Sequence, residues 1–199
     1  MKGFGVIMLL ENSNTKINLM KAFAGESQAR NRYIISASQA RKENLNIIEK
    51  AFIFTANQEQ EHAKIFYKFL APICGKSINI SGDFPIDLYN NTLDMLKCAK
   101  NNEYEEYNNV YKNFGDEAKS EGFIEISEAF YNIAKVEKIH GDRFDNLIKL
   151  IQNDNLFKSE KEQSWVCLNC GHVHTGKEVP EKCPVCDHSR GYFCANFSF

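Results

Sequence analysis

The chain has 199 residues, 43% hydrophobic and 25% charged, with a formal net charge of −2. These proportions are those of a soluble globular protein, neither disordered nor membrane-embedded, and 24 basic against 26 acidic residues with no basic block exclude a nucleic-acid or anionic-lipid footprint. The length accommodates one medium domain and a small module.

Met1 to Leu10 has one lysine and a short apolar run but no small-residue cleavage site, so residues 1–15 read as an N-terminal extension rather than a secretory signal. Apolar residues recurring at spacings of three and four then predict four helices, at roughly 16–42, 45–71, 88–119 and 122–152. The joint Lys42-Glu43-Asn44 is short enough to make the first pair antiparallel. Pro72 to Asp87, with Gly75, Gly82 and Pro85, breaks helix and reads as a long crossover, and Gly122 marks the third joint. Short, long and short connections are those of an all-α, ferritin-like four-helix bundle spanning 16–152. Residues 153–164 are polar and read as a linker. From 165 to 199 the helical period disappears, and a module this small needs a metal to hold it together.

The acidic residues fall on the wrong faces for solvation. In the fourth helix Ile126, Phe130, Ile133, Glu137, His140, Phe144 and Leu147 share one stripe, and in the second Ile48, Phe52, Thr55, Glu59, His62, Phe66 and Phe69 share another. Glu26 lies between Phe23 and Tyr33, and Glu103 among Leu96, Ala99, Tyr107 and Val110. A buried carboxylate costs several kcal/mol unless it is paired, and Arg30 or Lys100 would offset one charge at most. Two Glu-x-x-His pairs plus one Glu from each remaining helix match a di-iron or di-manganese carboxylate site. Hard oxygen donors with one imidazole per metal favour iron, with manganese or zinc as substitutes.

The arrangement is also duplicated, with 33 residues from Glu26 to Glu59 and 34 from Glu103 to Glu137. Glu106 is either a solvated helix residue or a seventh ligand competing with a histidine for one metal. Tyr33 and Tyr111 follow Glu26 and Glu103 by seven and eight residues, about two turns, which places them near the metals or simply in the core.

Cys167, Cys170, Cys183 and Cys186 form C-x2-C-x12-C-P-x-C, the spacing of a tetrahedral thiolate site. The spacing does not choose between zinc and iron. Beside an oxygen-ligated metal pair, a one-electron carrier is more useful than a staple, which favours iron. Seven cysteines in all, with Cys74, Cys98 and Cys194 standing alone, point to a reducing compartment and to three buried or inert thiols.

From about Asn18 to Phe193 the chain resembles the rubrerythrin family. The resemblance is carried by Phe-Ala-Gly-Glu-Ser-Gln-Ala-Arg-Asn-Arg-Tyr at 23–33, Glu-Gln-Glu-His at 59–62, Ala-Lys-Val-Glu-Lys-Ile-His at 134–140 and the cysteine quartet. It implies that Glu26, Glu59, Glu103, Glu106, Glu137 and His140 ligate two irons, with His62 replacing Glu106 on reduction. It also implies a homodimer, in which one subunit's rubredoxin-like site approaches the partner's di-iron site, in a cytoplasm poor in oxygen. The expected activity is reduction of hydrogen peroxide to water in protection against oxidative stress, with Glu106, His62, Tyr33 and Tyr111 serving catalysis. Electrons would come from an external flavoprotein or NAD(P)H-dependent reductase through the four-cysteine iron. The alternative is a ferritin-like ferroxidase or iron-handling protein with a zinc-ribbon module, against which stands the private electron input that a store does not need. Two departures from the family pattern are Asp187, where a rubredoxin-like knuckle has Gly, and the tail Cys194–Phe199.

Overall fold

The computed structural model describes residues 8–195, so the first seven residues of the expected extension and the last four of the tail lie outside it. The chain is a ferritin-like helical bundle followed by a small strand module. The helices are α1 (Asn14–Lys42), α2 (Asn46–Phe69), α3 (Thr92–Glu105), α4 (Tyr111–Ser120) and α5 (Ile124–Gln152). A π-helical turn, Glu106–Val110, joins α3 to α4, so the helix expected over 88–119 is continuous in direction but interrupted in pitch. It also starts late, at Thr92, where Asn91 Oδ1 accepts the Asp94 N–H at 2.8 Å as an N-cap. No described helix is long and apolar enough to cross a membrane.

Three of the helix ends close in the same way. Asn44, Gly122 and Asp154 have φ of 58°, 89° and 55°, and the next N–H reaches back to the carbonyls of Ala40, Ala118 and Leu150. This is the left-handed cap that satisfies the last carbonyls of a helix. At the other end of α1, Ser13 Oγ accepts the Lys16 N–H, and the Glu121 carboxylate accepts the N–H groups of Asn14 and Thr15 at 2.8 Å each.

The chain forms two compact units, the first comprising Met1–Arg30, Asn57–Ile86 and Asn101–Gly141, the second Asn31–Ala56, Asp87–Lys100 and Asp142–Phe199. In the first, Leu19, Phe66, Leu70, Tyr111, Phe130 and Ile133 anchor an apolar cluster. In the second, Tyr33, Phe52 and Phe144 pack ring to ring at 5.2–5.9 Å between centroids.

The second unit also holds the strand module, β1 (Lys158–Cys167), β2 (Val173–Glu178) and β3 (Phe193–Ala195), antiparallel in the order β2-β1-β3. Trp165 stands opposite His174 and Ala195. Residues 158–164, read from sequence as linker, form the first part of β1. Their lysines and glutamates are solvated, so no apolar alternation marked them as strand. Trp165, Cys167, Val179, Cys183 and Phe193 make the module's core.

Candidate metal centres

Glu26 on α1, Glu59 and His62 on α2, Glu103 on α3, and Glu137 and His140 on α5 are all buried, as the stripes require. Their ligand atoms form two groups, each within 4.8 Å: Glu26, Glu59, His62 and Glu137, and Glu59, Glu103, Glu137 and His140. Glu59 and Glu137 belong to both groups. Two positions that share two carboxylates, each with one private carboxylate and one imidazole, are the donor set of a bridged metal pair. His62 Nδ1 lies 3.1 Å from Glu59 and 3.0 Å from Glu137. His140 Nδ1 lies 2.9 Å from Glu59 and 2.8 Å from Glu137. The other nitrogen of His140 faces Gln58 Oε1 at 3.1 Å. That contact fixes the ring so that Nδ1 turns inward, as outer partners of metal-bound histidines do.

The electrostatics are those of a site built around cations. Burial pushes the Glu26 carboxyl well above its ordinary range, and the charges of Glu137, Glu59 and Glu106 push the same way. Burial also lifts Glu103, which reaches about 8 with Glu59 beside it. Burial alone would raise Glu59, but hydrogen bonds from His140 and His62 hold it at about 2. Both histidines rise against their own burial, His62 to about 9 through Glu137 and Glu59, and His140 to about 12 through Glu103, Glu137 and Glu59. Glu26 Oε2, Glu59 Oε1, both Glu137 oxygens and His140 Nδ1 are buried without a hydrogen bond of good geometry. Buried polar atoms are normally satisfied, so this convergence fits metal ions. Lys100 does not neutralise the cluster; it pairs with Asp145 at 3.4 Å.

Tyr111, just beyond the π-helical turn, is buried and donates a hydrogen bond to Glu26 Oε1. Burial and the Glu26 charge raise its phenol well above the ordinary tyrosine range, so the proton stays on the oxygen. Glu106 opens the π-helical turn, half-buried, and belongs to neither four-residue group, one of which is completed by His62 and the other by His140. Tyr33 lies in the second unit, against Phe52 and Phe144. The Cβ-less Gly141, next to His140, lets the Tyr104 ring approach to where a Cβ would stand 2.8 Å away. Sequence reading missed Gln58, because a glutamine beside a ligand carries no signature of its own.

The four thiolates also converge, with Sγ separations of 3.8 Å for Cys167–Cys186 and 3.6 Å for Cys170–Cys183. The two knuckles mirror each other. Gly171 N–H and Asp187 N–H return to the carbonyls of Cys167 and Cys183, and Cys167 N–H and Cys183 N–H reach the carbonyls of His172 and His188. Gly171 and Asp187 both take left-handed backbone, φ 77° and 58°, so aspartate does there what glycine does in the first knuckle. The backbone N–H of His188 pulls the Cys186 thiol down to about 6, while burial raises Cys167; at Cys170 the backbone N–H of His172 is outweighed by burial and the crowding of neighbouring sulfurs, which take the thiol up to about 12. Of the solitary cysteines, expected to be buried or inert, Cys194 is buried, Cys98 half-buried and Cys74 exposed.

Comparison with known proteins agrees with this architecture. The family described as Rubrerythrin matches residues 18–148, and that described as Rubrerythrin, rubredoxin-like domain matches residues 165–194. A rubrerythrin of Clostridium perfringens is 45% identical over 185 residues, covering 92% of this chain and 95% of its own. One of Porphyromonas gingivalis is 41% identical over 184 residues, covering 92% and 90%. The fully reduced, all-ferrous state of nigerythrin superposes with a TM-score of 0.62 at 25% identity, over 98% of this chain and 92% of that one.

Proposed function

The chain belongs to the rubrerythrin family, and from that premise we propose that it is a non-haem di-iron peroxidase, reducing hydrogen peroxide to water with electrons relayed through a four-thiolate iron centre. The observation that carries this reading is the sharing of Glu59 and Glu137 by two ligand groups. The chemistry that a ferrous pair supplies in such a place is two electrons for hydrogen peroxide, which with two protons becomes two waters.

The chain's own residues do the rest. Glu59 and Glu137, common to both groups, would each donate to two metal ions, while Glu26 with His62 and Glu103 with His140 would each complete one of the two donor sets. Tyr111 fixes the orientation of Glu26 and keeps its proton on the phenol oxygen. Phe66, Phe130 and Tyr111 pack at 4.9–6.0 Å, a wall that keeps water from this end of the site. His62 would hold a metal in the reduced state and Glu106, carried on the π-helical turn, would take its place in the oxidised state.

The quartet takes iron and passes electrons singly, from a flavoprotein or NAD(P)H-dependent reductase and between the subunits of a homodimer, in a cytoplasm under oxidative stress. The ferroxidase and zinc-ribbon alternative is weaker, because a store has no use for a relay.

Anaerobically purified protein should carry two irons in the bundle and one on the thiolates. Cys170→Ser should react once with peroxide after chemical reduction yet fail to turn over with a reductase. Sustained reductase-linked turnover by Cys170→Ser would remove the relay from the scheme, and chemically reduced protein inert to peroxide would remove the peroxidase.

A further inference from the structure

The first knuckle of the cysteine quartet is held by a cation from the helical part of its own unit. Lys50, half-buried on α2, donates from Nζ to the carbonyl oxygen of Leu168 at 2.9 Å. Leu168 sits between Cys167 and Cys170, and its carbonyl shares one planar amide with the N–H of Asn169. Burial raises the Cys167 thiol, and against that larger effect this N–H, together with that of Cys170, acts to lower it.

The seating is specific. Leu168 N–H donates to Tyr192 O at 2.8 Å, and the Lys50 ammonium lies 5.7 Å from the Tyr192 ring centre. Gly191 lies so close to the α1–α2 turn that a Cβ there would stand 1.9 Å from Asn44 O. The neighbouring carboxylate, Glu49, is engaged by Arg41 and Asn46. In the second knuckle Pro184 and Val185 face solvent instead, Val185 at 66% exposure.

We propose that Lys50 is a positioning residue that tunes the four-cysteine centre through a single peptide group, its ammonium polarising the Leu168 carbonyl so that the Asn169 N–H bonds more strongly to Cys167. The two ends of an amide respond together, so a cation on the oxygen makes the hydrogen a better donor. A thiolate-bound iron gains negative charge when it takes up one electron, and hydrogen bonds to its sulfurs favour that state. Lys50 therefore raises the reduction potential and helps the centre accept electrons. This deepens the electron-relay reading and rests on it for the potential, whereas the contact of Lys50 with the Leu168 carbonyl stands on geometry alone.

The test compares full-length Lys50→Gln and Lys50→Arg with the unaltered chain by two measurements. In zinc-loaded, isotope-labelled protein, the Asn169 amide proton should move to higher field in Lys50→Gln and stay in place in Lys50→Arg. In iron-loaded protein, Lys50→Gln should lower the equilibrium constant for one-electron reduction about tenfold, about 59 mV, while Lys50→Arg retains most of it. An unmoved Asn169 proton in Lys50→Gln would overturn the peptide relay. A moved proton with an unchanged potential would overturn the tuning. A quartet that refused iron would sink the electron-relay reading, and the Asn169 shift would still decide the role of Lys50.

Discussion

The phenol of Tyr111 donates a 2.5 Å hydrogen bond to Glu26 Oε1 inside the buried carboxylate cluster. Tyr111→Phe leaves that acceptor without its donor, a change that costs about 1–3 kcal/mol at a buried site. We expect about tenfold weaker metal binding in the group containing Glu26 and His62, and little change in the other. Calorimetric titration of the metal-free variant measures both, and two unaltered affinities would show that Tyr111 only packs.

The shared carboxylates should matter more than the private ones. Glu137→Ala removes a donor from both groups and should lose both bundle metals, whereas Glu26→Ala should lose one. The thiolate absorption should persist in each, because the quartet shares no ligand with the cluster. Metal content per chain, read beside the visible spectrum, checks this. Loss of the same number of ions in both variants would contradict the assignment of Glu137 as a bridge.

The metal-free protein should lose stability as pH rises. His62 is raised from 6.5 to about 9, so its contribution is full below pH 6.5 and disappears as pH passes about 9. Glu103, raised from 4.5 to about 8 by burial, acts with the same sign, since its neutral form is the one the metal-free fold prefers. Metal binding must displace these protons, so loading near pH 7 should release protons into solution and tighten towards pH 9. Thermal midpoints from pH 6 to 10, with and without metal, test the sign; a metal-free midpoint that climbed over that range would refute it.

Asp187 occupies left-handed backbone with φ 58°. Asp187→Gly should therefore hold its metal at least as well, whereas Asp187→Val should destabilise the second knuckle by about 1–2 kcal/mol. Rates of metal release to a chelator order the three proteins, and equal rates would mean that the knuckle relaxes to accommodate any residue.

The buried carboxylates and their histidines were legible because an apolar stripe at helical spacing leaves no other explanation for Glu59, His62, Glu137 and His140 within it. The cysteine quartet was legible from spacing alone. Two of the three left-handed helix caps were not: Gly122 announces itself, while Asn44 and Asp154 belong to polar stretches that any loop could contain. The strand over 158–164 was hidden for a related reason, since a solvated strand has no apolar period. Lys50 and Gln58 act through a carbonyl and an imidazole brought near by tertiary packing, which leaves no trace in local sequence.

The π-helical turn at Glu106–Val110 explains an irregularity in the duplicated motif. Tyr33 to Glu59 and Tyr111 to Glu137 are both 26 residues, but Glu26 to Tyr33 is seven and Glu103 to Tyr111 is eight, so the additional residue falls where the helix widens. Each residue advances an α-helix by about 100°. Seven residues at that pitch return to nearly the same face, whereas eight overshoot by about a quarter of a turn unless the helix widens, so removing one residue from 106–110 would let a regular helix run through with Glu103 and Tyr111 still in phase. What this segment preserves is phase: the wide turn absorbs the eighth residue, and a return to α-helical pitch without shortening the chain would rotate Tyr111 by about a quarter of a turn away from Glu26.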